Sequence, residues 1–519
     1  MRCCPLAKYA LGIDAGTTAV KACLIDDAGN LLAEASAPHD LYSPEQGWAE
    51  EDPAEWWAGV ATCCRAILSG SGVDPAMVKG AGVSGMVPAI VLLDAGGGVL
   101  RRSIQQQDAR ATEEIEFLKA RLDQEEMYAR TGSYTNQQHV LPRLMWVQKH
   151  EPHVWRRTRR VMGSYDYINF RLTGAESLEA NWAVESGLYD IRARRWIPGY
   201  LDIGGLRQDL FPPVRMPTEI VGLVTRQAAR ETGLVPGTPV VAGSADHIAS
   251  ALSAGISRPS DLLVKFGGGG DVLFCTVEMK THPRLYFDLH NIPGHYIING
   301  CMAASGSVVK WFARNFVPAA GDNATLQDLD REAALVPPGS DGLIMLPYFL
   351  GEKTPLFDPL ARGVVFGLSL HHTRAHVFRA ILEAVSFGFR HHVDELEELG
   401  FVPERVFGTN GGSRSTLWQQ ITADVLGRSI TYYPHHPGSA LGVAFVAAMG
   451  TGLYDDWSRV SMFLGEGVRR DPDPAAHGIY NRAYTIYRDL YRRLKDDFPR
   501  LAALYHDDKP DAQDPGARP

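Results

Sequence analysis

Two carboxylates stand where short apolar runs break into small residues, and both suit phosphate chemistry. Asp14 closes Tyr9-Ala-Leu-Gly-Ile-Asp14 and is followed by Ala-Gly16-Thr17-Thr18. Glycine lets a backbone approach a phosphate closely, and the two threonine hydroxyls add donors beside the main-chain N–H groups. A carboxylate at that strand end suits hydrated magnesium, which takes hard oxygen ligands and keeps several waters. Asp246, in Ala242-Gly243-Ser-Ala-Asp246-His247, closes a second apolar run. A hydroxyl is a poor nucleophile at neutral pH, and a carboxylate in hydrogen-bond reach can take its proton as a phosphoryl group arrives. Each has a plainer reading: Asp14 as a turn residue bonded to its own backbone, Asp246 as a helix cap.

Two more glycine turns shift the balance. Gly267-Gly268-Gly269-Gly270 follows Leu262-Leu-Val-Lys-Phe266, and Asn410-Gly411-Gly412-Ser413-Arg414-Ser415 follows another apolar run. Three such turns after strands exceed ordinary turn needs. None has the GxxxxGK[ST] or a well-placed GxGxxG pattern, so the P-loop and the dinucleotide fold are disfavoured.

The elements that must position these residues repeat. A hairpin is expected over 9–25 with a third strand at 31–35, and helical periods occupy 54–68 and 111–121. Residues 236–243 read as a buried strand leading into a small-residue segment at 247–255, and a second hairpin spans 262–275. A long helix is expected over 374–399, a strand and glycine turn at 406–412, and a helix at 417–426. The plan is α/β and duplicated, with domains at 1–255 and 256–506. The tail, 507–519, is rich in Asp, Pro and Gly and is expected to be disordered.

Composition narrows the partners. The 519 residues are 45% hydrophobic and 21% charged, the balance of an ordinary globular chain. A net charge of -9 argues against nucleic acid as partner, and the basic run Arg156-Arg157-Thr158-Arg159-Arg160 reads as a solvated helix end. No stretch approaches the 18 or so apolar residues of a membrane span. Seven cysteines in no CxxC spacing, including Cys3-Cys4 and Cys63-Cys64, fit a reduced cytoplasm. The pairs His371-His372, His391-His392 and His435-His436 have no carboxylate or cysteine at metal spacing and read as surface or turn residues.

With these motifs in view the chain resembles the FGGY carbohydrate kinase family over residues 10–452. Gly363-Val-Val-Phe-Gly367-Leu368, continued by His376-Val-Phe-Arg-Ala-Ile-Leu-Glu383, looks like its C-terminal signature. Pro142-Arg143-Leu-Met-Trp146-Val-Gln-Lys-His150 resembles the N-terminal one, with Arg143 where the family usually has Lys. Gly411 to Ser415, with Trp418, Gln419 and Ala423-Asp424, is similar to the family's adenosine segment, and Gly306-Ser-Val-Val-Lys310-Trp311 falls where the family lines its nucleotide site.

The resemblance implies two actin-like (ribonuclease H-like) ATPase domains with a cleft between them, ATP and Mg2+ as cofactors, and a xylulokinase-like activity on a ketopentose or related small sugar or polyol. It implies Asp246 as base, Asp14 and Asp246 as magnesium ligands, and Thr17, Thr18, Lys21, Gly267, Gly268, Gly306, Lys310, Gly411 and Gly412 as ATP contacts. Relatives commonly have Thr at Gly268, so one phosphate hydroxyl is missing there. The sugar would meet Met86, Val87, Gln106, Asp108, Asp246 and His247. Met86-Val87-Pro88 replaces a common Gln-Met-His, and Gln106 replaces an aromatic residue, so ribulose, erythritol or glycerol type substrates stay open. Asp108 and Arg110 equally suit a structural ion pair. A homodimer is common among similar kinases. The rival readings are an actin- or chaperone-like ATPase and a non-catalytic sugar-binding regulator.

Overall fold

The computed structural model describes residues 7–316, 322–434, 436 and 438–506. The tail expected to be disordered, the Cys3-Cys4 pair and His435 lie outside the described residues. The chain forms two compact units: Met1–Pro259 with Cys275–Ile298 and His436–Gly465, and Ser260–Phe274 with Asn299–His435 and Glu466–Pro519.

In unit 1 the strands Tyr9–Ala15 and Ala19–Asp26 form the expected hairpin, with Leu31–Pro38 beside them. Tyr9–Ala15 also runs parallel to Val78–Gly85, which in turn pairs with Pro239–Val241 and Ser244–Ala245. The expected single strand at 236–243 is thus two short pieces. Gly243 separates them at φ +94°, where an added Cβ would lie 1.9 Å from Val83 O, so only glycine makes the bend.

One face of this sheet is stripped of side chains to admit a helix. Ser439–Gly450 packs on Tyr9–Ala15 and on Asp246–Ser253. A Cβ at Gly12 would lie 1.9 Å from Ala440 O, and one at Gly442 would lie 1.9 Å from Ala249 O. Ala10, Ile25, Val241, Leu252, Leu441, Val443 and Phe445 fill the core around the contact. Each large apolar side chain buried there stabilises by about 1.5–3 kcal/mol. On the other face, Pro53–Ser71 starts with Asp52 capping Ala54 N and Pro53 in its first turn, and ends at left-handed Gly72.

In unit 2 Asp261–Phe266 pairs antiparallel with Gly270–Thr276 and parallel with Arg405–Thr409, which pairs with Ile430–Tyr433. The long helix Arg374–Glu398 and the helix Thr416–Leu426 pack together, as their apolar periods require. Among the described residues no helix is long and apolar enough to cross a membrane.

Candidate active site

Strand Val78–Gly85 sets the two carboxylates of unit 1 at one edge. Asp14 is level with Ser84 on one side of it, while Ser244 is level with Ser84 and Ala245 with Gly85 on the other, one residue before Asp246. All three strands run parallel, so Asp14 and Asp246 emerge at the same sheet end. Ser84 Oγ donates to Asp14 Oδ1 at 2.8 Å and fixes that carboxylate. Beyond Asp14, Thr17 is half-buried and Thr18 exposed, and Lys21 is exposed on the return strand. His39 Nε2 lies 2.8 Å from Gly16 O and ties the turn down. Neither Ser84 nor His39 was legible beforehand, since each acts from a segment distant in sequence.

Asp246 opens the helix Asp246–Ser253, and its Oδ1 accepts the His247 N–H at 2.6 Å. The side chain stays 36% exposed, open enough to meet a substrate. His247 carries the arrangement inward: Nδ1 is 3.4 Å from Asp246 Oδ1 and Nε2 is 3.3 Å from Asp288 Oδ2. Burial alone would lower the imidazole pKa, but the facing Asp288, Asp246 and Glu185 carboxyls outweigh it and hold His247 well above the usual range. Glu185 is pushed well above its ordinary value by burial and then by the Asp288 charge. Ligand atoms of Glu185, His247 and Asp288 lie within 4.8 Å of one another.

The loops expected to contact sugar are held by buried donors. Ser164 Oγ donates to Met86 O, Arg143 Nη2 to Pro88 O and Trp182 Nε1 to Ala89 O, at 2.8–2.9 Å. Met86 and Val87 are buried at 6% and 3% exposure and offer only an apolar wall. Arg143, fully buried, also donates to Gln105 O and Gln138 O. The signature arginine is therefore a strut under three backbone segments, a use of its planar fork that a lysine point charge would not reproduce. Gln106 Oε1 accepts from Gln138 Nε2 at 2.6 Å.

Asp108 corrects an expectation. Its carboxylate is enclosed, accepting from Ala49 N, Arg110 N, Arg110 Nε and Arg110 Nη2 at 2.6–3.0 Å. Arg110 also binds Glu50 and lies over the Trp48 ring. With its oxygens spent on that network, Asp108 serves the ion pair and not the sugar.

In unit 2 the glycine segments converge. Because Asp261–Phe266 and Arg405–Thr409 are parallel neighbours with Lys265 level with Thr409, the turns at Gly267 and at Asn410 leave the same sheet end. A Cβ at Gly412 would lie 2.8 Å from Phe266 Cβ, and one at Gly306 would lie 2.6 Å from Gly267 O. Ser305 N and Ser307 N donate to Gly268 O and Gly306 N to Gly267 O, at 2.8–3.0 Å. The helix Gly306–Phe316 thus spends its first N–H groups on the glycine turn, while Lys310 is exposed one turn along and Gly411 faces open space. Ser305 Oγ and Ser307 Oγ are buried beside that turn with no hydrogen-bond partner. A Cβ at Gly268 would meet nothing within 4 Å, so that position opens away from both hydroxyls.

One histidine reading also changes. His391 and His392 are buried at 4% and 1% in the middle of the long helix, not on the surface. His391 Nε2 faces Glu395 at 3.3 Å one turn on, and His392 bridges Gly388 O and Thr354 Oγ1. His371 lies exposed in a turn, as expected, and with His376 it meets Asp341, a carboxylate that sequence spacing does not reveal. There the His376 Nδ1 accepts Thr373 N–H, so its Nε2 bears the proton shared with Asp341 at 3.2 Å and is no free metal ligand. The basic run behaves as expected: the helix Pro152–Arg157 ends in it, and Arg157 and Arg160 pair with Asp94 and Glu176.

Comparison with known proteins agrees with the geometry of each unit. A sequence model of the FGGY family of carbohydrate kinases, N-terminal domain, matches residues 9–253, and that of the C-terminal domain matches residues 277–451. The chain is 29% identical over 492 residues to xylulose kinase of Bacillus subtilis (strain 168), covering 94% of this chain and 98% of that one. It is 30% identical over 502 residues to L-xylulose/3-keto-L-gulonate kinase of Escherichia coli (strain K12), covering 96% and 99%. The crystal structure of xylulose kinase from Rhodospirillum rubrum matches with a TM-score of 0.90 at 44% identity, covering 95% of this chain and all of that one. With α/β units of the actin-like type, a carboxylate pair at one sheet end and converging glycine turns, the chain belongs to the FGGY family of carbohydrate kinases and is an ATP-dependent sugar kinase.

Proposed function

We propose that this kinase transfers the γ-phosphoryl group of ATP to a hydroxyl of a ketopentose such as xylulose. The observation that carries the reading is Asp246, partly open at a strand end and held by His247. Its carboxylate accepts the hydroxyl proton as the new O–P bond forms, and ADP leaves with the electrons of the broken bond. Phosphoryl transfer has a loose transition state, so aligning the hydroxyl counts as much as deprotonating it.

The first domain, 1–255, carries the sugar on Asp246, His247 and Gln106 against the Met86 and Val87 wall. Thr17, Thr18 and Lys21 face phosphate, and the second domain, 256–506, binds nucleotide through Gly267, Gly268, Gly306, Lys310, Gly411 and Gly412. Magnesium fits the hard oxygens of Asp14, with Asp246 the second carboxylate at that sheet end, and when bound it neutralises phosphate charge. Buried Cys23, Cys63 and Cys64, outside any disulfide among the described residues, support a reducing, cytoplasmic setting. The exposed apolar side chains Phe366, Leu368 and Leu370 support a homodimer, which sedimentation would test.

The deciding assay offers pentuloses, tetruloses, hexuloses and polyols with ATP and magnesium, read by ADP release and product mass. A phosphorylated pentulose as best product supports the reading. A best product from another class rejects it.

A further inference from the structure

Behind Asp246 three segments of unit 1 bring charged groups to one point. Glu185 ends the helix Ala180–Glu185, His247 follows the base, and Asp288 lies on the strand Tyr286–Leu289. The placement is built. Asn181 clamps Leu289 from the helix side, and His290 spans from Ile256 O to Ile292 N, so the two residues that follow Asp288 are both anchored.

Among the described residues Glu185 Oε1, His247 Nε2 and Asp288 Oδ2 are buried without a hydrogen-bond partner. His247 Nε2 and Asp288 Oδ2 face each other as an ion pair at 3.3 Å, whereas Glu185 Oε1 has no partner among the described residues. Asp288 is 1% exposed, whereas the His247 and Asp246 side chains are 17% and 36% exposed, so the cluster opens on the side of the base. Buried acceptors left without donors are costly, and a ligand that brings hydroxyl groups removes that cost. The orphaned Glu185 Oε1 near the base thus suits the hydroxyls of a polyhydroxy compound. A carboxylate brought there would meet Asp246 and Asp288 at close range, and the imidazole facing it is already engaged by Asp288.

We infer that Glu185 and Asp288, with His247, read hydroxyls of a neutral sugar or polyol and exclude sugar acids from this site. The inference rests on the sugar-kinase reading and deepens it by naming the substrate class and the residues that select it. Glu185 and Asp288 are specificity residues; Asp246 remains the group that takes the proton.

The test uses the full chain with D-xylulose, D-ribulose and xylitol against D-xylonate and D-gluconate, read by ADP release and, without nucleotide, by titration calorimetry. Neutral compounds are expected to exceed the acids in kcat/KM by about a hundredfold or more. Glu185→Gln and Asp288→Asn are each expected to raise KM for the best neutral substrate about tenfold while kcat changes less than about threefold. Circular dichroism checks that each is folded, and Glu185→Gln, at the more open carboxyl, decides the matter if Asp288→Asn is not. A sugar acid within about tenfold of the best neutral compound, or a folded Glu185→Gln with unchanged KM, overturns the inference. ADP release with gluconate as best substrate sinks it and leaves the kinase reading standing. Neutral sugars that bind a hundredfold better than acids yet never release ADP do the reverse. A panel in which no neutral compound binds also overturns it.

Discussion

Asn181 grips Leu289 from both sides: its Nδ2 donates to Leu289 O at 3.0 Å and its Oδ1 accepts from Leu289 N at 2.7 Å, across 108 residues of sequence. A side-chain amide here replaces a strand partner. It satisfies both polar groups of one buried residue and holds the strand that carries Asp288.

Replacing Asn181 by Leu leaves that N–H and C=O buried and unpaired, at about 1–3 kcal/mol for each group. Urea unfolding should show a lower midpoint, and hydrogen exchange should accelerate first at residues 286–289. Unchanged exchange there would show that the clamp contributes nothing.

Asp246→Asn keeps the shape of the side chain but cannot take a proton. Turnover should fall by about a hundredfold or more while ATP binding by calorimetry is retained. Near wild-type turnover in the folded variant would remove Asp246 as base.

Ser305 and Ser307 offer unpartnered hydroxyls beside the glycine turn. The double variant Ser305→Ala, Ser307→Ala should weaken ATP binding by about threefold to tenfold per lost bond, with sugar binding unchanged. Equal ATP affinity in variant and wild type would assign the phosphate grip to backbone donors alone.

Glu51 is pushed up to about 8 by burial, although Trp56 Nε1 donates to it and pulls the other way. The folded pKa lies above the unfolded value of 4.5, so this group's contribution is full below about 4.5 and is lost as pH rises toward about 8. Thermal unfolding temperature should therefore fall from pH 5 to pH 8, and Glu51→Gln should flatten that slope. A slope that the substitution leaves unchanged would place the titration elsewhere.

What could be read from the chain was local or periodic. Both hairpins, the long helix and the glycine turns follow from runs of apolar residues closed by glycine, and the parallel pairing of Asp261–Phe266 with Arg405–Thr409 then gathers the turns. The Asp108 to Arg110 spacing already allowed the ion pair that the structure shows. Glu185, Asp288, Ser305 and His39 were not visible, because each matters through a neighbour brought from a distant segment. The buried His391-His392 pair misled for a related reason: paired histidines look polar until a helix turns both inward against Glu395 and Thr354.

The bare glycine face of Tyr9–Ala15 has a consequence for how the chain is made. Its cover, the helix Ser439–Gly450, is synthesised long after it, and Tyr454 Oη reaches back 428 residues to Asp26 O. A nascent chain that has emerged only through residue 435 carries both carboxylates of the site but leaves Gly12 and Gly82 without their partners. Closing so long a loop is slow, and the open sheet face meanwhile is prone to stick. Unit 1 should therefore become resistant to protease only after residue 465 has left the ribosome, so that its amino-terminal half waits on a helix translated long after it.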